Sequence, residues 1–149
     1  MPAYVAVVGP GESADRAVLD GASAVGAELA VRGAVVVCGG LGGVMEAACR
    51  GAVEAGGTTL GILPGDDRAA ANAWVTVAVA TGMGELRNGL VVRAADAVIA
   101  VAGSYGTLSE IALALKAGKR VVGLGTWDIP GVLAAADPVE AVGLALATG

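Results

Sequence analysis

The sequence predicts an α/β fold: a single-domain, doubly wound, mostly parallel sheet with helices on both faces, Rossmann-like in plan. Three observations predict it. Short continuous apolar runs, rich in Val and Ala, recur along the chain, each the length of a strand buried on both faces. Longer segments with helically spaced apolar residues stand between them. Three of the runs end in glycine-rich turns: Gly9-Pro10-Gly11, Gly39-Gly40-Leu41-Gly42-Gly43 and Gly103-Ser104-Tyr105-Gly106-Thr107.

The elements follow in order. Ala3 to Val8 reads as the first strand, ending at Gly9. Ser13 is placed to cap the next helix, which runs to about Arg32 and stops at Gly33. Ala34 to Cys38 is the second strand. The Gly39–Gly43 loop opens a helix that ends near Gly56-Gly57. Thr58 to Leu63 is the third strand. Pro64 to Ala73, with Gly65-Asp66-Asp67-Arg68, reads as a mobile surface loop. Val75 to Ala80 is the fourth strand, and Met83 to about Ala95 a helix. Ala97 to Val101 is the fifth strand. The helix after it runs from Thr107 to Ala117 and stops at Gly118. Arg120 to Leu124 is the sixth strand. Asp137-Pro138-Val139-Glu140 reads as a capping box with Pro at the first helical position, opening a last short helix.

Composition bounds the function. The 149 residues read as one domain, 1–149, with one core. The chain is 56% hydrophobic and only 15% charged, which argues against disorder. With no Phe, the core falls to Val, Ile, Leu and Ala. A net charge of −5 without a basic run disfavours a nucleic-acid footprint. No charged segment precedes an apolar N-terminus, so no signal peptide is expected. The uncharged stretch Ala69 to Gly84 carries Asn72, Thr76, Thr81 and Gly82, a poor membrane span. Cytoplasmic residence is the expectation. The chain has no His and two cysteines, so a structural zinc site is not expected and any catalysis runs without imidazole. Cys38 and Cys49 read as small core residues.

The glycine loops carry the chemistry. All three follow strands, so they should gather at the carboxyl edge of the sheet, where such folds bind ligands. Gly9-Pro-Gly11-Glu-Ser-Ala14 fits a dinucleotide pattern, but the acidic ribose partner expected about 20 residues on is missing, and Cys38-Gly39-Gly40 stands there. Gly103 to Thr107 presents backbone N–H groups at a helix N-terminus, a cradle for phosphate, with hydroxyls from Ser104 and Thr107. Glu110 brings a carboxylate one turn further on. Thr107-Leu-Ser-Glu110 is also a capping box, in which Glu110 caps its own helix. Arg87 emerges from a helix with Leu90, Val91 and Ala94 at i+3, i+4 and i+7. A cation on an apolar face needs an anion: a ligand phosphate, Glu110, or a carboxylate across a subunit interface. Tyr105 projects from the phosphate loop and can stack on or hydrogen-bond a ligand. The helix after Thr107 is apolar nearly all round, which predicts a homo-oligomer, a dimer or tetramer.

Three motifs together resemble the LOG (Lonely Guy) superfamily, long labelled lysine decarboxylases: Gly39-Gly-Leu-Gly-Gly-Val-Met45 with Gly51-Ala52, Arg87 in its helix, and Gly103-Ser-Tyr-Gly-Thr-Leu-Ser-Glu110 against the signature PGGxGTxxE. No Lys stands in a matching motif for a pyridoxal Schiff base, so decarboxylation is not implied. LOG enzymes hydrolyse the N-glycosidic bond of nucleoside 5′-monophosphates. The resemblance implies that the 103–107 loop holds the phosphate, that Gly9, Gly39, Gly40, Gly42, Gly43 and Met45 line the site, and that Arg87 and Glu110 act at the ribose. Two departures stand out. Ala102-Gly103-Ser104 replaces Pro-Gly-Gly, and Arg87-Asn88 replaces Arg-Lys. These look more like a sister branch that includes molybdenum cofactor carrier proteins, regarded as binders of a phosphorylated pterin or nucleotide. The expected function is therefore binding of a phosphorylated nucleotide-like ligand, with phosphoribohydrolase activity as the alternative. No cofactor or metal is required; molybdenum cofactor is expected only as a carried ligand.

Overall fold

The computed structural model describes residues 1–12 and 14–148, so the expected Ser13 cap lies outside the described residues. Seven strands form one sheet: β1 (Tyr4–Val8), β2 (Val35–Cys38), β3 (Thr59–Leu63), β4 (Val77–Ala80), β5 (Ala97–Val101), β6 (Arg120–Leu124) and β7 (Val132–Ala134). Their order is β4-β3-β2-β1-β5-β6-β7, and every neighbouring pair is parallel. The α-helices are α1 (Arg16–Val31), α2 (Val44–Glu54), α3 (Arg87–Ala94), α4 (Tyr105–Lys116) and α5 (Pro138–Leu146). The chain winds outward from β1 to β4, then returns to the opposite side of β1 as β5. The switch in strand order therefore falls between β1 and β5, and their carboxyl ends open a crevice there.

Burial follows the winding. β5 is buried along its whole length, as a central strand covered on both faces must be. On one face Val5, Val7, Val36, Ile99 and Val122 meet Val25 and Leu29 of α1, Val44 and Ala48 of α2, and Val142 of α5. On the other, Ala6, Val8, Val37, Val98 and Val121 meet Val91 and Val92 of α3 and Ile111 and Ala114 of α4. At the edge, β4 alternates exposed and half-buried residues. Cys38 and Cys49 are buried free thiols.

Helices α1 and α2 touch backbone to backbone. A Cβ on Gly26 would overlap the carbonyl of Ala48, and one on Gly51 the carbonyl of Ser23. Only glycine allows this approach. The N-terminus of α1 is held by Asp15, whose carboxylate accepts from Val18 N–H at 2.9 Å. The expected cap of the last helix forms: Asp137 accepts from Glu140 N–H at 2.8 Å, with Pro138 at the first helical position.

Several expectations are corrected. β7 was not foreseen. The fourth strand starts at Val77 rather than Val75. Helix α4 starts at Tyr105 with Ser104 as its N-cap residue, two positions before the expected Thr107. Glu110 therefore lies in the second turn, and the Thr107–Glu110 capping box does not form. The 64–73 segment is not a free loop. Asn72 ties it down, donating its backbone N–H to Gly40 O at 2.9 Å and its side-chain amide to Leu41 O at 2.9 Å. Among the described residues, no helix is long and apolar enough to cross a membrane.

Candidate functional site

The crevice between β1 and β5 holds a cavity of about 140 Å³. The strand ends place its parts. Val7, Val8, Gly9 and Gly11 come from β1 and its turn, and Gly39 from the end of β2. Met45 comes from the first turn of α2, Arg87 and Asn88 from α3, and Ser104, Gly106, Thr107 and Glu110 from α4. Of the residues singled out in the sequence, Gly9, Gly39, Met45, Arg87, Ser104, Gly106, Thr107 and Glu110 meet around this one space. The others do not line it. Gly40 is packed beneath against Leu63, and Gly43 faces the Pro10 and Gly11 backbone as the N-cap of α2. Gly42 lies close to Gly11 O, and Gly103 lies under the ring of Trp127. Tyr105 is 90% exposed.

Arg87 is the only cation among the described residues lining the cavity. One terminal nitrogen reaches Gly39 O at 3.4 Å, and the other donates to the Asn88 side-chain carbonyl. Its Nε is buried with no hydrogen-bond partner among the described residues. A buried guanidinium N–H without an acceptor costs free energy that an anion in the cavity would recover. A Cβ on Gly39 would lie 2.6 Å from an Arg87 terminal nitrogen, so a larger residue there would displace the guanidinium. The expected apolar face of α3 is revised. Val91 shares the buried side with Val92, whereas Leu90 and Ala94 are exposed.

The N-terminus of α4 faces the same space. Ser104 is extended at φ −140° and makes no side-chain cap. Its hydroxyl instead bonds the Thr107 hydroxyl at 3.1 Å. The N–H groups of Tyr105, Gly106 and Thr107 have no acceptor among the described residues. Unpaired N–H groups and the helix dipole make this end a site for negative charge. Just before it, Ala102 sits at φ 54°. Proline, held near −65°, could not occupy that conformation, which accounts for Ala where the LOG signature has Pro.

Glu110 is 8% exposed and has no hydrogen-bond donor among the described residues. Burial pushes its carboxyl up to about 7, against the opposing pull of the Arg87 guanidinium. A carboxyl that exchanges its proton near neutral pH, in one cavity with a guanidinium, can give or take a proton.

Two participants went unread in the sequence. Asn88 orients Arg87 from one side and donates to Ser109 Oγ at 3.3 Å on the other, joining α3 to α4. Its place beside Arg87 was the available signal. Trp127 covers Gly103 from the segment after β6, and no local pattern announces that contact.

Comparison with known proteins places the fold. An uncharacterized protein of Archaeoglobus fulgidus is 46% identical over 120 residues, which is 80% of this chain and 78% of that protein. The molybdenum cofactor binding protein of Rippkaea orientalis superposes with a TM-score of 0.91 at 37% identity, covering 97% of this chain and 95% of that one. The molybdenum cofactor carrier protein of Chlamydomonas reinhardtii superposes at 0.86 with 35% identity, covering 95% and 94%. The parallel sheet, the loops at its switch point and the pattern of the SLOG cluster4 family, which matches residues 2–144, agree: the chain belongs to the SLOG cluster4 family.

Proposed function

We propose that this protein binds a phosphorylated pterin or nucleotide, with molybdenum cofactor as the favoured cargo, at the cavity between β1 and β5. The observation that carries the reading is that Arg87, whose buried Nε is unpaired among the described residues, lines the same small space as the first turn of α4 with its unpaired N–H groups. Together they make a seat for one phosphate. A cavity of about 140 Å³ is smaller than the roughly 300 Å³ or more that encloses a whole small-molecule ligand. The phosphate and its nearest atoms therefore enter, and the ring system lies over the rim near Tyr105 and Trp127. The cargo is supported by relatives named for binding or carrying molybdenum cofactor. The bound state is a homo-oligomer, supported by apolar side chains exposed on α3 and α4.

Glu110 favours one second reading, a nucleoside 5′-monophosphate phosphoribohydrolase. Cleavage of an N-glycosidic bond builds positive charge at the anomeric carbon, which a fixed carboxylate stabilises. Both readings are tested together. Purified protein is incubated with a panel of nucleoside 5′-monophosphates and assayed for free base and ribose 5-phosphate. Binding of AMP and, under anaerobic conditions, of molybdenum cofactor is measured by calorimetry. The carrier reading expects no release and saturable binding, weakened at least about tenfold by Arg87→Ala and abolished by Ser104→Asp, which puts a negative charge in the cradle. Base release lost in Glu110→Gln establishes the hydrolase instead. Unchanged affinity in Ser104→Asp removes the loop from the site.

A further inference from the structure

Beneath the cavity floor lies a pair of thiols that ligand binding does not use. Cys38 ends β2 and Cys49 lies in α2, and their Sγ atoms are 3.4 Å apart, sharing a hydrogen bond. Both side chains are fully buried. A disulfide needs about 2.05 Å between the sulfurs, so closure asks for an approach of about 1.4 Å. The pair is also wired to the site. Cys38 Sγ accepts from Gly40 N–H at 3.3 Å. The residue between them, Gly39, gives its carbonyl to Arg87. Gly40 O in turn accepts from Asn72 N–H, the residue that holds the Trp74 segment through its side-chain carbonyl.

We propose that Cys38 and Cys49 are a peroxide-oxidised dithiol switch whose closure to a disulfide shifts the 38–40 turn and weakens anion binding at Arg87. The inference rests on reading the cavity as the ligand site. The chemistry balances with hydrogen peroxide as oxidant. The Cys49 thiolate attacks one peroxide oxygen, the O–O bond breaks, and hydroxide leaves, giving a sulfenic acid. The Cys38 sulfur then attacks the Cys49 sulfur, the S–O bond breaks, and the hydroxyl leaves as water with the Cys38 proton. Two electrons pass from the sulfurs to peroxide. The environment assigns these roles. The hydrogen bond with Cys38 lowers the Cys49 thiol below its usual range, helped by Asn72 and Thr59, while the same bond and burial raise Cys38. Forming the S–S bond pulls Cys38 toward α2. The Gly40 N–H then loses its sulfur acceptor, and the Gly39 carbonyl moves relative to the guanidinium it orients.

The test reads AMP affinity on the parent chain and Trp74 fluorescence on the Trp127→Phe chain, in which Trp74 is the single tryptophan. Each chain is treated with stoichiometric peroxide, and thiols are counted after denaturation. AMP affinity and Trp74 fluorescence are read before oxidation, after it, and after dithiothreitol. The expected result is loss of both thiols, AMP affinity reduced about tenfold, a shifted Trp74 emission, and recovery on reduction. Cys49→Ala and Cys38→Ala, each an independent control, show no peroxide effect on either readout. The proposal is overturned if both thiols survive peroxide, or if the disulfide forms with Trp74 emission and AMP affinity unchanged. It is equally overturned if the alanine variants respond like the parent, which would place the oxidation elsewhere, as at Met45. Should the reduced protein bind no AMP at all, the ligand-site reading fails by itself, and the reversible Trp74 shift still decides whether the thiol pair moves the turn.

Discussion

Glu110 sits in the second turn of α4 with an anion's charge to hide, a guanidinium in the same cavity and no donor to satisfy it. Its raised proton affinity, to about 7, makes stability depend on pH in a definite direction. Below the ordinary value of 4.5 both folded and unfolded chains hold the proton. Between there and 7 the unfolded chain releases it first, so the folded state binds more protons and loses stability as pH rises. Above 7 the penalty is complete, on the order of 3 kcal/mol at most. Glu110→Gln removes it. In urea titrations the variant is expected to be more stable than the parent by about 2 kcal/mol near pH 8 and equal to it near pH 4. A helix cap behaves in the opposite way, because its loss costs about 1 kcal/mol. A variant less stable near pH 8 therefore refutes the geometry described here. If the cavity is the proposed ligand site, the parent's weakness is stability given up to keep a charge and an unpaired donor ready for a partner.

At the scale of elements, the α1–α2 contact is the sharpest claim. Gly26→Ala sets a methyl against the Ala48 carbonyl in a backbone that cannot give without separating two helices. It is expected to cost about 2 kcal/mol, even after the gain of roughly 1 kcal/mol from replacing a helical glycine. Gly143→Ala in α5 supplies the contrast, since its Cβ meets no atom within 4 Å. That variant is expected to gain up to about 1 kcal/mol. Thermal melts of the pair, opposite in sign, check both. The same elements show what was legible beforehand. Runs such as Ala97–Val101 announce strands because a buried parallel strand tolerates little besides Val, Ile and Ala. The glycine turns announced the edge where they gather, Arg87 stood out as a charge on an apolar face, and Glu110 as a carboxylate one turn past the third loop. β7 stayed hidden because three residues after Pro130-Gly131 carry no periodicity, and its pairing comes entirely from β6. The start of α4 was misread because Thr107 and Glu110 have capping chemistry at capping spacing. The helix instead begins at Tyr105, capped by Ser104, where the strained Ala102 turn releases the chain. Trp127 over Gly103 is a contact between residues 24 apart, set by how β6 leaves the sheet, and local patterning holds no record of it.

For the molecule as a whole, the two faces of the sheet are covered unequally. Three helices, α1, α2 and α5, pack on one face, and only α3 and α4 on the other. Around those two helices, Leu86, Leu90, Leu108 and Leu113 are exposed, and at the β4 edge so are Val77 and Val79. Single exposed leucines are ordinary on a protein surface, but Leu90 on α3, Leu108 and Leu113 on α4 and Leu86 in the turn before α3 put four of them on the more thinly covered side of the sheet. Burying each is worth about 1 kcal/mol or more. The chain is therefore expected to associate with copies of itself through α3 and α4. Because α4 carries Tyr105 at its start and Glu110 within its second turn, that association also bears on the rim of the proposed ligand site. Replacing Leu90 and Leu113 together by Glu puts two charges on that face while leaving Val91, Ile111 and the cavity untouched. Sedimentation velocity at micromolar concentration is expected to give a dimer or larger for the parent and a monomer for the double variant. AMP affinity, measured on both, separates two outcomes. A monomer that binds as tightly as the parent confines the site to one chain, and a monomer that binds more weakly makes the covered rim part of it. A monomeric parent refutes the association and leaves the exposed leucines as unremarkable surface.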